Sequence, residues 1–111
     1  MVKALQKGVL TDSLTAQSTD ETLGTAFAVP ITSNQLTVFA IANGTVSSGV
    51  VTIEEAHDPE YTGTWSSIGT ISPTTGAVLA AHIFSSLAAV RVRISTAIGG
   101  GGTVTVKLMS N

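Results

Sequence analysis

The sequence has no cysteine and very little charge. The absence of cysteine excludes disulfides and thiolate metal sites. A cysteine-free β domain survives in any redox compartment, so this absence does not locate the protein. Charged residues make up 11% of the chain, against about 25% in an ordinary soluble domain. Five Lys and Arg stand against seven Asp and Glu, a formal net charge of −2. No basic stripe is available to hold a phosphate backbone, which argues against nucleic acid as a partner. No apolar run approaches the roughly 20 residues needed to cross a bilayer, which argues against a membrane. The stretch Met1-Val2-Lys3-Ala4-Leu5-Gln6-Lys7-Gly8 lacks the unbroken apolar centre of a secretory signal. A chain made and kept in a cytoplasm is therefore expected, and Asn43-Gly44-Thr45, although it matches a glycosylation sequon, is expected to stay unmodified.

What is present is alternation. Val90, Val92 and Ile94 alternate with Arg91, Arg93 and Ser95, and Val104, Val106 and Leu108 alternate with Thr103, Thr105 and Lys107. A period of two puts each set on one face of a strand. A hydrophobic fraction of 43% and a mean hydropathy of +0.42 exclude general disorder. A chain of 111 residues and 11.2 kDa fits one domain able to bury a continuous core. A small all-β protein with so few charges does not show its whole surface to water. A protein that sits against other proteins is therefore expected.

Residues 1–25 differ from the rest. Val9, Leu10, Leu14 and Leu23 are sparse apolar anchors among Thr, Ser, Gln and Asp, with room for one strand near 7–14. The segment reads either as a polar loop or as an arm that docks on a neighbouring subunit, with Leu10 and Leu14 as contact residues. Ser18-Thr19-Asp20-Glu21 fits a capping box, but Gly24 follows too soon for more than one helical turn. Residues 26–111 carry the sandwich domain, with strands predicted over 26–31, 35–42, 49–56, 65–71, 78–84, 89–96 and 103–109. Leu36, Val38 and Ala40 share one face of the second of these, and Thr37, Phe39 and Ile41 the other. Both faces are largely apolar, so this strand is either central or covered by a partner. Over 77–89, Leu79, Ile83 and Leu87 recur every four residues, which suits a helix. Ser85-Ser86 interrupts that pattern and a strong strand follows at once, so a strand over 78–84 is preferred. Gly99-Gly100-Gly101-Gly102 permits positive φ and reads as the loop of a hairpin joining the last two strands. The expectation is an all-β fold, a two-layer antiparallel β-sandwich of jelly-roll-like connection with an extended N-terminal arm. Strand count does not fix topology, and an immunoglobulin-like connection fits it as well.

No reaction is legible in these residues, and no enzyme is expected. The glycine run is followed by Thr103 and a strand, whereas a phosphate loop needs Lys-Ser or Lys-Thr and a helix. Glu54, Glu55, His57, Asp58 and Glu60 form the one dense polar cluster. Glu54 and Glu55 point to opposite faces of a continuing strand, and the spacing lacks the glycine and terminal Glu of a calcium loop. No metal or cofactor is therefore expected. The cluster reads instead as a solvated loop, or as an acidic patch facing Lys or Arg on a neighbour. His57 and His82 are the only histidines. No serine sits in a nucleophile elbow, and His82, among Ala80, Ala81, Ile83 and Phe84, reads as structural. Tyr61 and Trp65 lie beside the acidic loop. They would be the stacking residues of a glycan site, and Trp65 otherwise serves as a core or interface anchor.

The pieces Gly49-Val50-Val51-Thr52-Ile53-Glu54-Glu55-Ala56, the loop from Asp58 to Trp65, Ala89-Val90-Arg91-Val92-Arg93-Ile94-Ser95 and Gly102-Thr103-Val104-Thr105-Val106-Lys107-Leu108 form one pattern over residues 35–109. A strand ends in an acidic residue, a loop leads to a Trp, a Val-Arg-Val strand follows, and a Gly-rich turn enters the last strand. This pattern resembles small β-sandwich proteins of tailed-bacteriophage virions. The resemblance implies a capsid cement (decoration) protein that binds the major capsid protein as a homotrimer in a virion assembled in the host cytoplasm, or else a tail or fibre component. It brings no catalytic residues. The residues expected at contacts are Leu10, Leu14, Phe39, Tyr61 and Trp65. The alternative reading is a carbohydrate- or receptor-binding module using Tyr61 and Trp65.

Overall fold

The structure is a computed structural model and describes residues 3–5, 14–23, 26–30, 32–85 and 87–111. Among these residues there are ten strands and no helix: β1 (Lys3–Ala4), β2 (Leu14–Ala16), β3 (Glu21–Thr22), β4 (Phe27–Ala28), β5 (Leu36–Asn43), β6 (Ser48–Ala56), β7 (Ser66–Ile71), β8 (Val78–Ile83), β9 (Ala89–Gly99) and β10 (Thr103–Ser110). They form a six-stranded sheet in the order β1-β4-β9-β6-β7, with β3 also on β9, and a four-stranded sheet in the order β2-β10-β5-β8. Every ladder is antiparallel except the two-residue pair of β1 and β4.

The alternation read from the sequence sets which face is buried. Val90, Val92 and Ile94 of β9 join Val51 and Ile53 of β6 on the inner face of the six-stranded sheet. Val104, Val106 and Leu108 of β10 join Leu36, Val38 and Ala40 of β5 on the facing side of the four-stranded sheet. Burying each Val, Leu or Ile contributes about 1.5–3 kcal/mol. The fold is thus all-β, two antiparallel sheets packed face to face. β5 is a central strand, between β10 and β8. The stretch with four-residue apolar spacing is the strand β8, in which Leu79, Ala81 and Ile83 lie half-buried toward the core.

The expected hairpin between the last two strands does not form. β9 pairs with β6 in one sheet, and β10 pairs with β5 in the other. The glycine run carries the chain from sheet to sheet, with φ of 93° at Gly100 and 87° at Gly101. A Cβ on Gly100 would stand 2.7 Å from the Thr45 carbonyl oxygen, so the turn needs both the left-handed backbone and the missing side chain. From β4 onward, only β6 and β7 are consecutive strands in one sheet. Alternation tells which face of a strand is apolar. It does not tell which neighbour the strand will have.

The described part of residues 1–25 is built into both sheets rather than extending from them. β2 lies on β10, with Leu14 opposite Val106 and Ala16 opposite Val104. The chain then crosses at Gln17, whose carbonyl accepts from Ile98 N at 2.9 Å, and runs along β9. Asp20 N donates to Ile94 O at 2.7 Å and Leu23 N to Val92 O at 2.8 Å. Leu5 and Leu23 are each 2% exposed in the core. Apart from Leu14, the strand expected over 7–14 lies outside the described residues. One half of the expected capping box is made: Glu21 Oε2 accepts from Ser18 N at 3.0 Å. It closes a turn through Asp20 (φ 63°) into β3, not a helix.

Candidate functional site

The outer face of the six-stranded sheet is closed by its own side chains. The β6–β9 register puts Glu54 opposite Arg91 and Thr52 opposite Arg93. Arg91 Nε donates to Glu54 Oε1 at 2.7 Å, and Arg93 Nε lies 3.5 Å from the same oxygen. Arg93 Nη1 donates to Asp20 Oδ1 at 2.6 Å. The Glu54 side chain is 7% exposed, and a carboxylate so buried is tolerable because two guanidinium groups face it. Arg91 also covers Trp65, with Cζ 4.7 Å from the ring centroid, within the range of a cation–π contact. Trp65 is 5% exposed, yet it stands apart from the core cluster. Its Nε1 donates to the Tyr61 carbonyl oxygen at 3.0 Å. Trp65 is therefore an anchor of the outer face, pinning the loop before β7, and presents no stacking surface to a ligand.

That loop holds the acidic cluster. Asp58 Oδ1 accepts from Glu60 N at 2.8 Å, and Tyr61 N donates to Asp58 O at 3.1 Å. Tyr61 is 38% exposed, its ring centroid 4.9 Å from that of His57. Beside it lies a shallow open depression lined by Glu55, His57, Tyr61, Thr64 and Ser66. Glu54 belongs to the arginine pair instead. Among the described residues, no group of three or more His, Asp or Glu side chains is placed to hold a metal ion.

The outer face of the four-stranded sheet is different. Its registers run Thr15–Thr105–Ile41–Val78, Lys107–Phe39–Ala80 and Met109–Thr37–His82. Lys107 is its one charged side chain among the described residues. Its polar groups satisfy each other: Thr15 Oγ1 and Thr105 Oγ1 are 3.0 Å apart, Asn43 Nδ2 donates to Thr105 Oγ1 at 2.7 Å, and Thr37 Oγ1 lies 3.2 Å from His82 Nδ1. The two most exposed large hydrophobics of the described chain lie at the rim, Val78 at 63% and Phe84 at 76%. His82, read from its apolar neighbours as structural, is exposed here and pairs with Thr37. Its neighbours Ala81 and Ile83 point inward while it points out, as strand alternation requires.

Of the residues expected at contacts, the structure brings together Tyr61 and Trp65, through the hydrogen bond from Trp65 Nε1 to the Tyr61 carbonyl, and places Phe39 elsewhere. Leu10 lies outside the described residues, and Leu14 is the first residue of β2. Phe39 points outward, half-buried, from the four-stranded sheet; Tyr61 and Trp65 lie in the loop between β6 and β7, beside the other sheet. Sequence reasoning placed Ile41 on the face of Phe39 but missed Val78, Lys107 and Met109 as its neighbours there. The signal was available in the alternation of β8 and β10, but it acquires meaning only once those strands flank β5. No described helix is long and apolar enough to cross a membrane. No protein-family model matches this sequence, and no curated protein matches it.

Proposed function

We propose that this chain is a structural virion protein of the capsid cement, or decoration, type. In this reading it binds and stabilises a phage head through the outer face of its four-stranded sheet, against the major capsid protein. The observation that carries the reading is the charge of that face. Lys107 alone is charged among the described residues there, beside Phe39, Ile41, Val78 and Met109. A free monomer gains nothing from such a surface. Against another protein its aliphatic groups lose water and its threonines pack closely. Repetition over a shell makes weak contacts collectively strong. The role first given to an N-terminal arm passes to this face, because the described N-terminal residues are engaged in the chain's own sheets. The repeated crossing between sheets is taken as jelly-roll-like. Assembly in the host cytoplasm follows from the reading.

The test is cosedimentation with heads of the phage that encodes the chain. Wild-type protein pellets with the heads. Phe39→Asp changes an outward side chain, keeps the β-sheet circular dichroism spectrum, and stays in the supernatant. Pelleting of this variant at the wild-type level would remove the face as the contact.

The depression beside Tyr61 favours a second reading, a carbohydrate- or receptor-binding module of a tail or fibre. An exposed aromatic ring with Glu55, His57 and Ser66 nearby offers both stacking and hydrogen bonds to a sugar. A glycan-array signal that Tyr61→Ala abolishes, together with no head binding, would replace the first reading with this one.

A further inference from the structure

β8 ends the four-stranded sheet, and its far side has no strand partner among the described residues. It is a full six-residue strand in unbroken register with β5. The opposite end of the sheet carries only the three residues of β2. The adjacent edge strand, β7, has Gly69 inside it and a register shift against β6 at Ile53/Glu54. Natural sheets blunt long edges with charge, proline or bulges. The run Val78-Leu79-Ala80-Ala81-His82-Ile83-Phe84 has no Asp, Glu, Lys, Arg or Pro.

The direction of the free backbone groups follows from one hydrogen bond. Ala42 N donates to Ala77 O at 3.3 Å, and these residues continue the β5–β8 register by one step. Opposed residues in an antiparallel ladder alternate between pairs that exchange hydrogen bonds and pairs that do not. Leu79, Ala81 and Ile83 therefore bond to β5. Val78, Ala80 and His82 turn their N–H and C=O groups outward.

We infer that β8 is a self-pairing edge: two copies of the chain join about a two-fold axis by antiparallel β8–β8 hydrogen bonding, with Ala81 opposite Ala81 of the second copy. A two-fold axis normal to the sheet keeps inward residues opposite inward residues and outward opposite outward. The Ala81 register then brings Val78 against Phe84 and Ala80 against His82 on the outer face. On the inner face it brings Leu79 against Ile83, both half-buried in one copy. Every outward-turned residue meets another, so all are in bonded positions. The shift that centres on Ala80 leaves Phe84 without a β8 partner. The Ala81 register thus covers the two most exposed large hydrophobics of the described chain with each other and places no like charges in opposition. The result is one eight-stranded sheet whose outer face doubles the sparsely charged surface described above. The resemblance implied three-fold association; this contact is two-fold.

The measurement is molar mass by light scattering after size exclusion, with no shell present, so it is independent of the head-binding reading. Wild-type protein is expected at twice the 11.2 kDa chain mass. Ala80→Pro removes an outward N–H without touching a bond to β5, a position where an edge strand accepts proline. It is expected to keep the fold and halve the mass. Ala80→Lys, which adds an edge charge without altering the backbone, is expected to do the same and decides the matter if the proline variant unfolds. A wild-type monomer, a species of three chains, or a dimer that persists in the folded variants would overturn the inference.

Discussion

The guanidinium carbon of Arg91 lies 4.7 Å from the centre of the Trp65 ring. The same side chain donates from Nε to Glu54 at 2.7 Å. One residue thus neutralises a buried carboxylate and covers the only tryptophan of the chain. This is why two expectations about the Asp58–Trp65 region part company. Trp65 belongs to the architecture, while Tyr61 remains at the surface.

Arg91→Ala leaves Glu54 facing Arg93 Nε alone, at 3.5 Å, and uncovers the indole. The expected loss is about 2–4 kcal/mol in urea denaturation, in the range for breaking a buried pair with some relief from partial exposure. Tryptophan emission is expected to shift to the red, reporting the same site. Wild-type stability and emission in this variant would show that the pair contributes nothing.

Gly100→Ala and Gly101→Ala separate two costs. Both positions have positive φ, but a Cβ at Gly101 meets nothing within 4 Å, whereas at Gly100 it meets the Thr45 carbonyl. Gly101→Ala is expected to lose about 1–3 kcal/mol from backbone strain alone, and Gly100→Ala clearly more. Equal losses would mean that the loop at Thr45 moves aside freely.

Leu23→Ala tests whether the N-terminal segment is part of the fold. Leu23 is 2% exposed and its N–H holds the edge of β9. A loss of about 2–5 kcal/mol is expected, as for other buried leucines. Deletion of residues 1–25 is expected to abolish cooperative thermal unfolding, since Leu5, Ala16 and Leu23 leave the core together. A truncated chain that melts like the full one would restore the segment as a separable arm.

What was legible in the sequence was local. Val90-Arg91-Val92-Arg93-Ile94 and Val104-Thr105-Val106-Lys107-Leu108 announce both strand and buried face, because the period of two is a property of the extended chain itself. The scarcity of charge raised the expectation of a surface made for contact, but carried no information on where such a surface would lie. Tertiary structure alone decided that β9 and β10 lie in different sheets and that Glu54 meets Arg91. It also decided that Phe39 stands between Lys107 and Ala80, and that β8 is left at an edge. These are relations between residues tens of positions apart. They depend on how two apolar faces close over each other, a choice made by packing the whole chain and carried by no single stretch of it.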